Sequence, residues 1–97
     1  MTSIAGRWEV RIKTPIGTLA VDYRFGVDGT ATATLSDETV PLQDVVVDGS
    51  RVTWRQVVRK PMRLNLEFDV LVDGDVLAGH SRAGRLPKSQ VTGRRMP

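Results

Sequence analysis

Met62-Arg63-Leu64-Asn65-Leu66-Glu67-Phe68-Asp69-Val70-Leu71-Val72 is the stretch that decides the fold. Met62, Leu64, Leu66, Phe68, Val70 and Val72 take alternate positions, with Arg63, Asn65, Glu67, Asp69 and Leu71 between them. A period of two lays the first set along one face of an extended strand, whereas a helix would scatter it around the axis. The alternation recurs upstream. Leu19, Val21, Tyr23, Phe25 and Val27 alternate with Ala20, Asp22, Arg24 and Gly26, and Trp8, Val10 and Ile12 alternate with Arg7, Glu9, Arg11 and Lys13. Turn formers separate the runs: Pro15-Ile16-Gly17, Asp28-Gly29, Ser36-Asp37-Glu38, Asp48-Gly49, Lys60-Pro61, Asp73-Gly74 and Gly84-Arg85-Leu86-Pro87. The pattern predicts eight strands, roughly 6–13, 18–26, 30–35, 39–47, 51–58, 62–72, 75–81 and 88–95, a spacing typical of sandwiches and barrels.

An internal repeat narrows the choice. Trp8 precedes Pro15 by the same interval that separates Trp54 from Pro61. After one residue of slippage, Leu19, Val21, Tyr23, Phe25 and Val27 align with Leu64, Leu66, Phe68, Val70 and Val72. Pro41 and Val45 then match Pro87 and Val91. Two four-strand units, approximately 3–48 and 49–95, each have one apolar face that nothing covers. Joining them edge to edge buries both faces and removes exposed edges, so the expectation is an all-β, eight-stranded antiparallel meander barrel occupying 1–97 as one domain.

Composition bounds what such a barrel can be. Ninety-seven residues with 40% apolar content make one core, burying somewhat more than roughly 60% of the unfolded surface. The absence of cysteine excludes disulfides and thiolate metal sites and suits a reducing cytoplasm. No stretch approaches the ~18 apolar residues of a membrane span, and the N-terminus lacks the pattern of an export signal. The expected protein is therefore cytoplasmic and away from membranes. Charge is polarised: residues 1–50 hold four basic and seven acidic side chains, net −3, and residues 51–97 hold ten basic and four acidic, net +6. Such a field steers an anionic ligand or acidic partner.

Gly6-Arg7-Trp8 on the first strand, with Gly93-Arg94-Arg95 on the last, resembles the calycin pattern of lipocalins and fatty-acid-binding-protein-like barrels. The resemblance implies Trp8 at the barrel floor, Arg94 or Arg95 laid over its ring, and first strand paired to last. The chain lacks a long lid loop and is shorter than a usual lipocalin, so an inherited cavity would be small or absent. Compact cofactor-free barrels that guide cyclisation are a second likeness, in shape alone.

Where the two units differ in polarity on the inward face, the candidate site lies. Val10 aligns with Gln56, Leu35 with His80, and Phe68 with Tyr23. A buried polar group without a partner costs about 1–3 kcal/mol, so Gln56, His80 and Tyr23 must be satisfied by a ligand, by one another, by backbone or by water. The expected function is binding of a small apolar or amphipathic molecule by Tyr23, Trp54, Gln56, Leu66, Phe68 and His80, in room left by Ala31, Ala33, Ala78 and Gly79, with two alternatives. An enzyme reading is a cofactor-independent isomerase or cyclase with His80 and Tyr23 exchanging protons, His80 being the sole histidine. A third reading is a filled barrel acting as a protein-interaction module. No nucleophile motif, metal-ligand spacing or phosphate-binding glycine loop appears, so no metal and no cofactor are expected. Nucleic acid is disfavoured despite Arg82, Arg85, Lys88, Arg94 and Arg95, because the aromatics Trp8, Tyr23, Phe25, Trp54 and Phe68 nearly all fall on the inward face and leave no stacking platform. Val46, Val57 and Leu71 fall outside the inward set and form a candidate homodimer contact.

Overall fold

The computed structural model describes residues 4–14, 17–26, 30–35, 38–58, 64–84 and 86–96, without the side chains of Val58 and Leu64. The expected turn residues Pro15, Ile16, Asp28, Gly29, Ser36, Asp37, Lys60, Pro61 and Arg85, Val27 of the second alternation, and Met62 and Arg63 of the expected strand 62–72 lie outside the described residues.

Alternation of apolar and polar residues yields nine strands among the described residues: β1 (Gly6–Thr14), β2 (Gly17–Phe25), β3 (Ala31–Leu35), β4 (Glu38–Pro41), β5 (Gln43–Asp48), β6 (Arg51–Val58), β7 (Leu64–Asp73), β8 (Val76–Ala83) and β9 (Ser89–Arg95). They form one sheet in the order β4-β3-β2-β1-β9-β8-β7-β6-β5, and every pair is antiparallel. First and last strands are thus neighbours, with Trp8 opposite Arg95 and Ile12 opposite Val91.

The ninth strand arises because the expected strand at 39–47 breaks in two at Leu42. β4 pairs with β3 at one end of the sheet, and β5 pairs with β6 at the other. One short segment therefore belongs to both ends, β4 also packs against β6, and the sheet curls into a nearly closed barrel. To change partners the chain must redirect its hydrogen-bonding edge. The Leu42 N–H bonds the Ala31 carbonyl at 2.9 Å, and the β5–β6 register then slips between Gln43 and Val46. Asp44 sits at this bulge with φ of 51°. A bulge bends its strand and increases the local twist, and aspartate tolerates left-handed backbone better than the valines that follow it.

The inward face carries Trp8, Val10 and Ile12 from β1, Val21, Tyr23 and Phe25 from β2, and Val52, Trp54, Phe68, Val70 and Val72 from β6 and β7, all buried. The two long hairpins share a register: Trp8 faces Tyr23 as Trp54 faces Phe68, and Val10 faces Val21 as Gln56 faces Leu66. On the third strands the sequence offset between the units changes. Ala33 stands opposite Tyr23, whereas Ser81 stands opposite Phe68. The expected equivalence of Leu35 and His80 is therefore corrected. On β8 the alternation turns Leu77 and Ser81 into the core and leaves Ala78 and Arg82 exposed, with His80 on the same outer side.

Glycines let the wall close tightly. A Cβ at Gly79 would fall 2.1 Å from the Asp69 carbonyl oxygen, and one at Gly93 would fall 2.9 Å from Val10 Cγ2 and 3.0 Å from Leu77. The space their missing side chains free is already taken by β7 backbone and by Val10 and Leu77. Gly79 thus leaves no room for a guest, and the exposed Ala78 contributes none.

Candidate functional site

Four of the five aromatic side chains pack against one another in the interior. Trp54 stacks on Phe68 with centroids 4.9 Å apart and meets Tyr23 and Phe25 edge-on at 5.3 and 5.5 Å. Tyr23 also contacts Phe25 and Phe68, each at 6.1 Å. Offset and edge-on arrangements suit the ring quadrupoles, so the cluster stabilises the core beyond its buried area.

Two polar groups sit inside this cluster and satisfy each other. The Tyr23 hydroxyl donates to Gln56 Oε1 at 2.6 Å, bridging β2 and β6, with Tyr23 0% and Gln56 3% exposed. Burial pushes the phenol well above the ordinary tyrosine range, outweighing the nearby Trp54 N–H, which favours the anion. Tyr23 is therefore a neutral donor committed to one acceptor. The Trp54 Nε1–H lies near this pair without reaching an aligned hydrogen bond, and it is the buried side-chain polar atom left without a partner among the described residues.

Of the residues expected to form one pocket, Tyr23, Trp54, Gln56, Leu66 and Phe68 all lie inside, where Leu66 faces Gln56 across the β6–β7 ladder. His80 does not join them. It lies half-buried on the outer face, opposite Asp69 on β7 and Gln90 on β9. The barrel wall thus separates His80 from Tyr23, and no proton passes directly between them. Ser81 is the inward polar residue of β8, 2% exposed. Counting by twos from Leu77 finds it; alignment to the first unit does not.

Arg95 and Arg94 part company beside Trp8. The Arg95 guanidinium lies 4.6 Å from the Trp8 ring centroid and bonds Asp75 Oδ1 at 2.9 Å, the Gly74 carbonyl at 3.2 Å and the Ala5 carbonyl. The Trp8 Nε1–H in turn donates to the Ile4 carbonyl at 2.7 Å. Arg94 stands opposite Glu9 and Val76 on the exposed face. The clamp consists of one cation, one ring, the Asp75 carboxylate and backbone carbonyls.

Outside, the β6–β7–β8 face holds a groove of about 500 Å³ whose charged lining is Asp44, Arg55, Glu67, Asp69, Arg82 and Lys88, together with Thr53, Trp54, Phe68 and His80. Its carboxylates are occupied. Asp69 takes two hydrogen bonds from Arg51, at 2.6 and 3.0 Å, which hold its carboxyl below the usual range, helped by the charges of Arg51, His80 and Lys88. Arg55 lies 3.7 Å from Glu67 and 3.8 Å from Asp44.

Fold and site together define a small antiparallel β-barrel with an aromatic, internally bonded core. Comparison with protein-family models, with curated proteins and with solved structures finds no match. Among the described residues no helix is long and apolar enough to cross a membrane, and no cluster of three or more histidine, cysteine or acidic side chains is placed to hold a metal ion.

Proposed function

We propose that this protein is a filled barrel serving as a protein-interaction module, recognising its partner on the outer surface. The observation that carries this reading is the Tyr23–Gln56 hydrogen bond, 2.6 Å long and sealed among packed rings. A binding pocket keeps its polar groups available to orient a guest, whereas these are spent on each other. The clamp of Arg95 over Trp8, with Gly6-Arg7-Trp8 at the chain's start, supports a calycin-like ancestry in which the cavity has been filled. The shared register of the two long hairpins supports a duplicated unit. Lack of cysteine supports residence in a reducing cytoplasm.

Interior binding of a small apolar or amphipathic molecule is the second reading. It is favoured by one observation, the unpartnered Trp54 N–H, which a guest's acceptor atom could take. The isomerase or cyclase reading has less support, because His80 and Tyr23 lie on opposite sides of the wall. Native mass spectrometry, combined with titration of fatty acids and apolar dyes against tryptophan fluorescence, tests the choice. The filled barrel predicts neither a bound mass nor a saturable change; a one-to-one adduct that quenches Trp54 overturns it.

A further inference from the structure

The outer groove over β6, β7 and β8 is lined by three cations, Arg55, Arg82 and Lys88, and three carboxylates, Asp44, Glu67 and Asp69, but the two sets are not paired one to one. Arg51 and Arg55 engage Asp69, Glu67 and Asp44. Arg82 and Lys88 line the same groove, yet no carboxylate of the described residues makes an ion pair with either. His80 stands on the same strand face as Arg82, two positions away, and Lys88 lies close enough to Asp69 to act on its carboxyl. A guanidinium fork, an ammonium and an imidazole N–H thus line one concave surface, and all three belong to the half of the chain that is net +6.

We propose that Arg82, Lys88 and His80 form a site for a tetrahedral oxyanion, the phosphate group of a phosphorylated partner segment. The inference rests on reading the outer face as the recognition surface. Chemistry favours phosphate over a lone carboxylate. Arg82 can offer two parallel N–H donors, Lys88 adds a point charge, and His80 adds a further donor, matching an anion with several acceptor oxygens. Asp69, which faces His80 across the ladder, is bonded twice by Arg51, and neither Arg82 nor Lys88 makes an ion pair with it.

Because His80 is the sole histidine, its ring protons report the site without interference in a proton NMR spectrum. Inorganic phosphate is titrated into the intact protein at constant ionic strength and pH, with chloride as the ionic control and acetate as the carboxylate control. The expected result is a saturable movement of the His80 ring signals with phosphate, at a Kd on the order of millimolar, and little movement with acetate or chloride. The double variant Arg82→Gln/Lys88→Gln, changed only at exposed positions, should weaken binding at least about tenfold while keeping a cooperative thermal transition. Equal movement with chloride, no movement with phosphate, or unchanged affinity in the folded double variant overturns the site. Saturation with acetate as tight as with phosphate overturns the assignment to phosphate. None of these outcomes bears on whether the interior is filled, which mass spectrometry and apolar titration decide separately.

Discussion

Tyr23→Phe removes one hydroxyl and leaves Gln56 Oε1 buried without its donor. The expected cost is about 1–3 kcal/mol, most of it the penalty of an unsatisfied acceptor. Replacing both partners, as Tyr23→Phe with Gln56→Leu, exchanges the pair for apolar surface and should cost less than the two single changes together; urea denaturation of the four proteins gives the coupling directly. The phenol also makes stability depend on alkaline pH. Its folded-state value is raised, so the favourable contribution is complete below the ordinary tyrosine value of about 10 and declines as pH rises beyond it, where the unfolded chain loses a proton that the folded chain keeps. Tyr23 is the sole tyrosine, so tyrosinate absorbance should appear only as the protein unfolds. The Tyr23→Phe variant should lose that part of the alkaline slope. Tyrosinate forming near pH 10 in the folded protein would show the phenol to be accessible. The polarity of Gln56 and Tyr23 against apolar counterparts marked both as inward in the sequence, since period two fixes the face. The bond between them was not legible, because which residues meet across a barrel depends on closure.

At the scale of elements, the strands that carry the core were readable wherever a long run kept strict alternation, as β1, β2, β6 and β7 do. The segment 38–48 was not, since its break at Leu42 is set by the need to serve two distant strands, a tertiary demand that leaves no mark in local pattern. His80 was misplaced for a related reason. Alignment to Leu35 assumed that both units keep one register through their third strands, while the β7–β8 ladder obeys its own alternation. Two substitutions probe these elements. Asp44→Val places a β-branched residue in left-handed backbone and should destabilise by about 1–2 kcal/mol, while Asp44→Gly should be neutral or slightly stabilising; thermal melts separate them. Gly79→Ala drives a methyl into the Asp69 carbonyl and must push β7 and β8 apart, costing about 3 kcal/mol or preventing folding. A melt within a few degrees of the parent protein would mean that the two strands separate easily.

At the scale of the whole molecule, closure joins the most distant parts of the chain. β9 ends the sequence yet sits in the middle of the sheet, paired on one side with β1 and on the other with β8. Its residues supply the buried Val91 and the Arg95 that clamps Trp8. Contacts of such long sequence separation cost loop entropy before they contribute anything, so folding should run on the millisecond-to-second scale of β-barrels and wait on β9. Truncation at Ser89 tests this. Removing 89–97 breaks two ladders, uncovers Val10 and Ile12, and leaves two hydrogen-bonding edges in place of the barrel's centre, so the fragment should show no cooperative thermal or urea transition and should tend to aggregate. Adding the missing strand as a synthetic peptide should restore the transition in proportion to its occupancy, because it binds only the folded form. A fragment that melts cooperatively without the peptide would show that β1 and β8 can close on each other, and that the terminal strand decorates the barrel without completing it.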